Sequence, residues 1–290
     1  MASLGVVGGA LLGGLPTAAK MTSFPALFRD GDEDRDDRRA DTAQEIFTAA
    51  LIAEDLAITM YYNSLIGGVI QDPNLAGPGG NLSNPDNLAN VGYLQGALSE
   101  EIVHANLLRT LIGGSNSSSD PVQTFFFPTG TFDNLQNFFP ILLALETAFI
   151  GAYLTAVQEF SSMAAEIEPF ERRQLDSSGK PYSHKELAYF AKVAASILGV
   201  EAEHRTLARA IPSITPGNTT FAGTDIFPAD NVNFEQTDGL ESVYKGFKSA
   251  VVALTPFITN GSGKTSFSYA TAIANANKVS VPTTGGLPQQ

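Results

Sequence analysis

The chain has 290 residues, 43% of them hydrophobic and 16% charged, which suits one large domain with extensions and argues against a disordered chain. A net charge of −13 argues against a nucleic-acid partner, because no basic cluster is present to neutralise phosphates, whereas an acidic surface is compatible with attracting cations. There is no cysteine, so disulfides, thiolate metal sites and cysteine nucleophiles are excluded.

Residues 2–19 form a Gly/Ala/Leu run resembling the apolar part of an export signal, without the basic residues that precede one. It is either a signal remnant or a tail that packs on a partner. Pro16 and five glycines disfavour a spanning helix, so no transmembrane helix is expected. The charge run at 29–39 lacks the glycine and terminal glutamate of a calcium loop and is expected to be a solvated lead-in. Residues 1–40 are therefore set apart from a helical domain over 41–212 and a C-terminal extension over 213–290.

The first helix is expected to start near Asp41 and Thr42. Thr42 and Glu45 have capping-box spacing, and no glycine or proline interrupts until Gly67. Ile46, Ala50, Ala53, Ala57 and Met60 recur at steps of four and three, the pattern of one buried stripe, and Glu54 lies beside it. A Gly/Pro/Asn-rich connection leads to a second helix over about 87–112, stopped by Gly113 and Gly114. Residues 113–138 read as a long loop with an aromatic patch, FFFP. A third helix is expected to start near Pro140, with the proline in its first turn, and to run to about 167. The fourth, over about 183–211, opens on a second capping-box pair, Ser183 and Glu186, and stops at Pro212. In the extension, only 240–258 and the stretch 267–276 look helical, and the extension is expected to wrap the helical domain or contact neighbours. Four Asn-x-Ser/Thr sequons, at Asn81, Asn116, Asn218 and Asn260, fall in loop-like sequence.

Chemistry-bearing residues recur along these helices in a fixed order: Glu54, then Glu101 with His104, then Glu146, then Glu201 with His204. Glutamate and histidine three residues apart leave one face of a helix and can share a metal ion. One Glu-x-x-His alone would describe a core histidine; here it occurs twice, within an internal duplication. EDLAITMYY aligns with ETAFIGAYL, matching Glu54 and Tyr61 to Glu146 and Tyr153. EIVHANLLR aligns with EAEHRTLAR, matching Glu101, His104 and Arg109 to Glu201, His204 and Arg209. Counted from the helix ends, each glutamate lies level with its partner on the antiparallel neighbour, so two related hairpins would bring all six side chains to a common axis.

Four carboxylates buried there without cations would be costly, and two divalent cations would cancel their charge. Oxygen-rich ligation with one imidazole per ion suits iron or manganese better than structural zinc. Glu101 and Glu201, central by symmetry, would bridge the ions, and Glu54 and Glu146 would cap one ion each. Tyr61 and Tyr153 are either plain core tyrosines or donors and redox-active phenols behind the ligands. Arg109 and Arg209 read as surface or inter-helix ion pairs, and His184, at a helix start, as a surface residue.

These segments resemble the ferritin-like superfamily of di-metal carboxylate proteins. LSEEIVHANLLRTLIGG and AASILGVEAEHRTLARAI are most similar to the ferritin-like domain of desiccation-related proteins, over about residues 41–212. The resemblance implies an all-α fold, a ferritin-like four-helix bundle with a long crossover between the second and third helices. All six of the superfamily's ligand positions are filled here. The expected function is a dinuclear iron or manganese protein handling O2 or H2O2, ferroxidase-like or catalase-like, in stress protection. The alternative is a structural or protective extracellular protein that self-assembles through its terminal extensions, with the metal site structural or vestigial. Export is favoured over a cytoplasmic location, and a homo-oligomer or an assembly through the termini is expected.

Overall fold

A computed structural model of the chain describes residues 41–71, 85–165, 174–210 and 247–280, with the side chains of 85–90, 207, 209–210 and 247–251 outside that description. The apolar run at 2–19, the charge run at 29–39, the sequons Asn81 and Asn218, and the helix expected over 240–246 lie outside the described residues. Among the described residues the protein is mostly helical with one small antiparallel sheet.

Local signals start and stop the long helices. α1, Ala43–Ile66, begins at a reciprocal cap: the Glu45 amide donates to Thr42 Oγ1 at 3.2 Å, and the Thr42 amide donates to Glu45 Oε2 at 2.7 Å. It ends at Gly67. α2, Pro85–Leu111, starts two residues before the expected position, at a proline whose missing N–H would have no helical partner in the first turn anyway. Gly113 follows it with φ +75°, the left-handed geometry that a helix stop requires. α3, Leu135–Ala164, corrects the expected start at Pro140. Asn134 caps it by accepting the Asn137 amide at 2.9 Å, so the helix begins five residues earlier and Pro140 lies inside it. α4, His184–Ala210, opens on the expected pair, the Ser183 amide donating to Glu186 Oε2 at 2.7 Å and the Glu186 amide to Ser183 Oγ at 3.2 Å. His184 is exposed at its first position.

The all-α expectation is corrected by two strands. β1, Thr124–Pro128, lies in the connection between α2 and α3, and β2, Lys264–Ser268, lies in the C-terminal region. They pair antiparallel from Thr124 opposite Ser268 to Pro128 opposite Lys264. Phe125 and Phe127 share the inner face of β1 and are fully buried. Phe267, opposite Phe125, joins that face. Its ring stands 4.9 Å from Phe132 and 5.7 Å from Phe127, both edge-on. Two further helices complete the C-terminal region: α5, Phe247–Ile258, and α6, Tyr269–Ala276, capped by Ser268. Residues 267–268, expected to be helical, thus belong to the strand.

α1 packs along α2 and α3 along α4, with further contacts between α1 and α3 and between α2 and α4. α5 and α6 also pack on α1. The single buried stripe expected for α1 is therefore an underestimate: every residue except Gln44, Glu45, Asn63 and Ile66 is buried. Its many alanines let neighbours approach from all sides. Fully burying a Leu, Ile or Phe side chain contributes roughly 1.5–3 kcal/mol, and α1 holds Phe47, Leu51, Ile52, Leu56 and Ile58 at 2% exposure or less. Among the described residues α3 is the one helix long and apolar enough to cross a membrane, by length and composition alone. Half of its most apolar window is buried inside the molecule, and it carries the buried Glu146.

Candidate metal centre

Each of the four long helices contributes to one acidic cluster midway along its length. α1 supplies Glu54, α2 Glu101 and His104, α3 Glu146, and α4 Glu201 and His204. All six are buried, Glu101 and Glu146 completely. Two overlapping groups form, Glu54 with Glu101, His104 and Glu201, and Glu146 with Glu101, Glu201 and His204. Within each, one donor atom per residue lies within 4.8 Å of all the others. Glu101 and Glu201 belong to both groups. Either group could hold a metal ion.

The register between helices is antiparallel and symmetric. His104 Nδ1 is 3.3 Å from Glu54 Oε2 and from Glu101 Oε2, and 3.6 Å from Glu201 Oε1. His204 Nδ1 is 3.1 Å from Glu101 Oε1, 3.6 Å from Glu201 Oε2 and 3.9 Å from Glu146 Oε2. Both imidazoles therefore turn the same nitrogen inward. On the other pair of helices, Tyr61 of α1 donates to Glu146 Oε1 of α3 at 2.6 Å, and Tyr153 of α3 donates to Glu54 Oε1 of α1. The two tyrosines thus stand directly behind the cluster, each holding the glutamate of the opposite helix.

The atoms that face inward are those without partners. Glu54 Oε2, Glu101 Oε1, Glu146 Oε2, both oxygens of Glu201 and His204 Nδ1 are buried and make no hydrogen bond. His204 Nδ1 and Glu101 Oε1 are close enough to bond but are not aligned to do so. Buried polar atoms are ordinarily paired. A set of unpaired carboxylate oxygens and an imidazole nitrogen converging on one volume is the arrangement a cation satisfies, so the donor set fits one.

Without a cation the cluster balances its charge with protons. Burial, followed by the neighbouring Glu54 carboxylate, raises the Glu101 pKa. Burial and then Glu201 raise that of Glu146 well above its ordinary value. For His104, burial opposes the charged form, but the Glu54 carboxylate 3.3 Å from Nδ1 and the hydrogen bond to Glu101 outweigh it and its pKa rises. His204 behaves alike, with Glu101 and Glu100 as its main partners. Burial, then the Glu146 and Glu54 carboxylates respectively, push the Tyr61 and Tyr153 phenols far from ionisation.

Three residues escaped the sequence reading. Glu100 accepts from His204 Nε2 at 2.9 Å, on the side of the ring away from the cluster. Asp55, adjacent to Glu54 and fully buried, and Asp120, in the α2–α3 connection, surround Arg109. Arg109 itself is not at the surface. It grips Asp120 with two nitrogens, Nε to Oδ1 at 2.8 Å and Nη2 to Oδ2 at 2.5 Å, and donates to Tyr269 of α6 at 3.0 Å. Helical spacing marks Glu100 only as the neighbour of Glu101, and nothing local ties Arg109 to Tyr269. The Arg209 side chain lies outside the described residues. The two described sequon asparagines, Asn116 and Asn260, are both exposed.

Comparison of the chain with protein-family models, with curated proteins and with solved structures returns no match.

Proposed function

We propose that the chain is a ferritin-like four-helix bundle whose central cluster binds two iron or manganese ions and acts on O2 or peroxide. The observation that carries this reading is the pair of overlapping ligand groups sharing Glu101 and Glu201. In it, Glu101 and Glu201 would be shared by the two ions, Glu54 and His104 would help hold one, and Glu146 and His204 would help hold the other. Iron or manganese held there would supply electrons to O2 or H2O2. Oxygen-rich ligation with one imidazole per position favours these metals over structural zinc.

The chain's own residues set the conditions for that chemistry. Tyr61 and Tyr153 fix one oxygen of Glu146 and of Glu54, leaving the second oxygen of each turned inward. The carboxylates and imidazoles that hold protons in the metal-free protein release them when a cation enters. The phenols, kept neutral by burial, remain donors throughout. All six side chains are buried, so each charge there acts in a medium far less screening than water.

The test is anaerobic titration of the purified protein with Fe(II) and with Mn(II), followed by O2 or H2O2. Two ions per chain, an optical change on oxidant addition and turnover of oxidant are expected, all abolished by Glu201→Ala. Failure to bind either ion would overturn the reading. Binding that raises thermal stability without any oxidant consumption would reduce the centre to a structural staple.

A further inference from the structure

We infer that Glu100 makes the two halves of the centre unequal, so that the half containing His204 takes up its cation more tightly than the half containing His104. This rests on the reading of the six residues as a two-ion site.

Glu100 is not part of the inner cluster. Its side chain is 47% exposed and reaches His204 from outside, its Oε2 2.9 Å from Nε2. A carboxylate can only accept, so Nε2 must carry the proton and donate it. Once the inner proton leaves, the ring is therefore held in the tautomer whose Nδ1 is free to bind a metal. Nδ1 is also the nitrogen that faces Glu101, Glu146 and Glu201. Fixing an imidazole through its outer N–H in this way orients the ring and makes the inner nitrogen a better ligand, an effect typically reaching 10–100-fold in metal affinity.

His104 lacks that support. Its Nδ1 faces Glu54, Glu101 and Glu201, yet among the described residues no side chain hydrogen-bonds its Nε2. The internal repeat gives the reason. Glu100 immediately precedes Glu101, and the matching position before Glu201 is Val200, half-buried and unable to accept a hydrogen bond. The duplication supplies six matched inner residues but only one outer carboxylate. Glu100 is accordingly a positioning residue, acting on the cation through His204.

The experiment is an anaerobic calorimetric titration of the full chain with Mn(II), with electron paramagnetic resonance at each stage to separate an isolated ion from a coupled pair. Wild-type protein should bind in two resolved steps, with isolated Mn(II) after the first. Glu100→Ala should weaken the tight step by about 10–100-fold and leave the other in place. Glu100→Gln, which keeps an acceptor oxygen, should restore much of the loss. Val200→Glu, made independently, should tighten the weak step and bring the two together. Two equal wild-type steps, unchanged by Glu100→Ala, would overturn the inference while leaving the two-ion reading intact. Equal weakening of both steps by Glu100→Ala would assign the residue a general structural role and overturn the inference too. No binding by the wild-type protein would remove both.

Discussion

Tyr61 of α1 hydrogen-bonds Glu146 of α3, and Tyr153 of α3 hydrogen-bonds Glu54 of α1. The crossing follows from antiparallel packing. Each tyrosine stands seven residues after the glutamate of its own helix, two turns away along the axis, and this places it level with the glutamate of the other. The same step continues to Phe47 and Phe160, whose rings meet at 5.0 Å.

The crossed pair separates two roles for the tyrosines. A phenylalanine fits the same space, so a tyrosine that only packs would tolerate the change. Tyr61→Phe and Tyr153→Phe remove the donor and leave a buried carboxyl oxygen unpaired, which costs about 1–3 kcal/mol. Each variant is expected to lower the unfolding free energy of the metal-free protein by that amount. Each should also weaken Fe(II) or Mn(II) binding by a similar free energy, with nearly unchanged far-ultraviolet circular dichroism. Urea melts and anaerobic titrations check this. Equal effects from the two variants would reflect the symmetry of the contacts.

A pH dependence of stability follows from the direction of the shifts. Glu101, Glu146, His104 and His204 all have raised pKa values in the fold, as does Asp55, by burial and then by Asp120. A group raised in this way stabilises the fold fully below its unfolded value and loses that contribution as pH rises through the folded one. The carboxyl groups start to lose it above about pH 4 and the imidazoles above about pH 6.5. The metal-free protein is therefore expected to melt at a lower temperature at pH 8.5 than at pH 5.5. Cation binding expels the same protons, so affinity rises with pH and the loaded protein should be the more stable at pH 8.5. Melts with chelator and with Mn(II) at the two pH values give the comparison. Asp176 and Glu186 are lowered, but they act only toward acid pH and are exposed.

The parts of this arrangement that sequence exposes are those set by neighbours in the chain. The Thr42–Glu45 and Ser183–Glu186 caps and the stop at Gly113 each need three or four residues. The inner six side chains were legible because a duplication repeats them at helical spacing. What escaped depends on partners far along the chain. TFFFP becomes a strand only because residues 264–268 lie beside it, about 140 positions later. Arg109 is fixed by Tyr269, 160 positions later. No local period encodes either pairing, and the expectation that the C-terminal extension wraps the helical domain does not say that α1 is the helix it packs on.

Glu201 is the least satisfied side chain of the cluster. Both of its oxygens are buried and unpaired. Its carboxyl group faces the others of the cluster, and the two imidazoles 3.6 Å away make no hydrogen bond to it, so replacing it relieves crowding of like groups at a site where burial without partners is costly. Glu201→Gln is therefore expected to raise the melting temperature of the metal-free protein by a few degrees, about 1–2 kcal/mol, while abolishing metal-dependent stabilisation. Paired melts with and without Mn(II) decide it. A variant that destabilises the metal-free protein would mean that Glu201 is satisfied by protein groups.

Arg109 connects the C-terminal region to the helix that carries Glu54. Its guanidinium holds Asp120 through two nitrogens and reaches Tyr269 of α6, with Asp55 of α1 at 3.9 Å. Tyr269 also donates to Asp120 Oδ2 at 3.1 Å, which closes the network. All four residues are buried, so Arg109→Ala would leave two carboxyl groups facing each other without a cation. Breaking a buried ion pair by removing one partner costs about 3–5 kcal/mol. Lysine offers a point charge and not a fork, so Arg109→Lys should recover only part of that loss. Tyr269→Phe, which removes one hydroxyl and keeps the ring, should cost about 1 kcal/mol. If Arg109 and Tyr269 act as one network, the double variant should lose less than the sum of the single losses, since each change already disrupts bonds the other shares. Additive losses in urea melts would mean that Arg109 and Tyr269 stabilise the fold independently and not as one network.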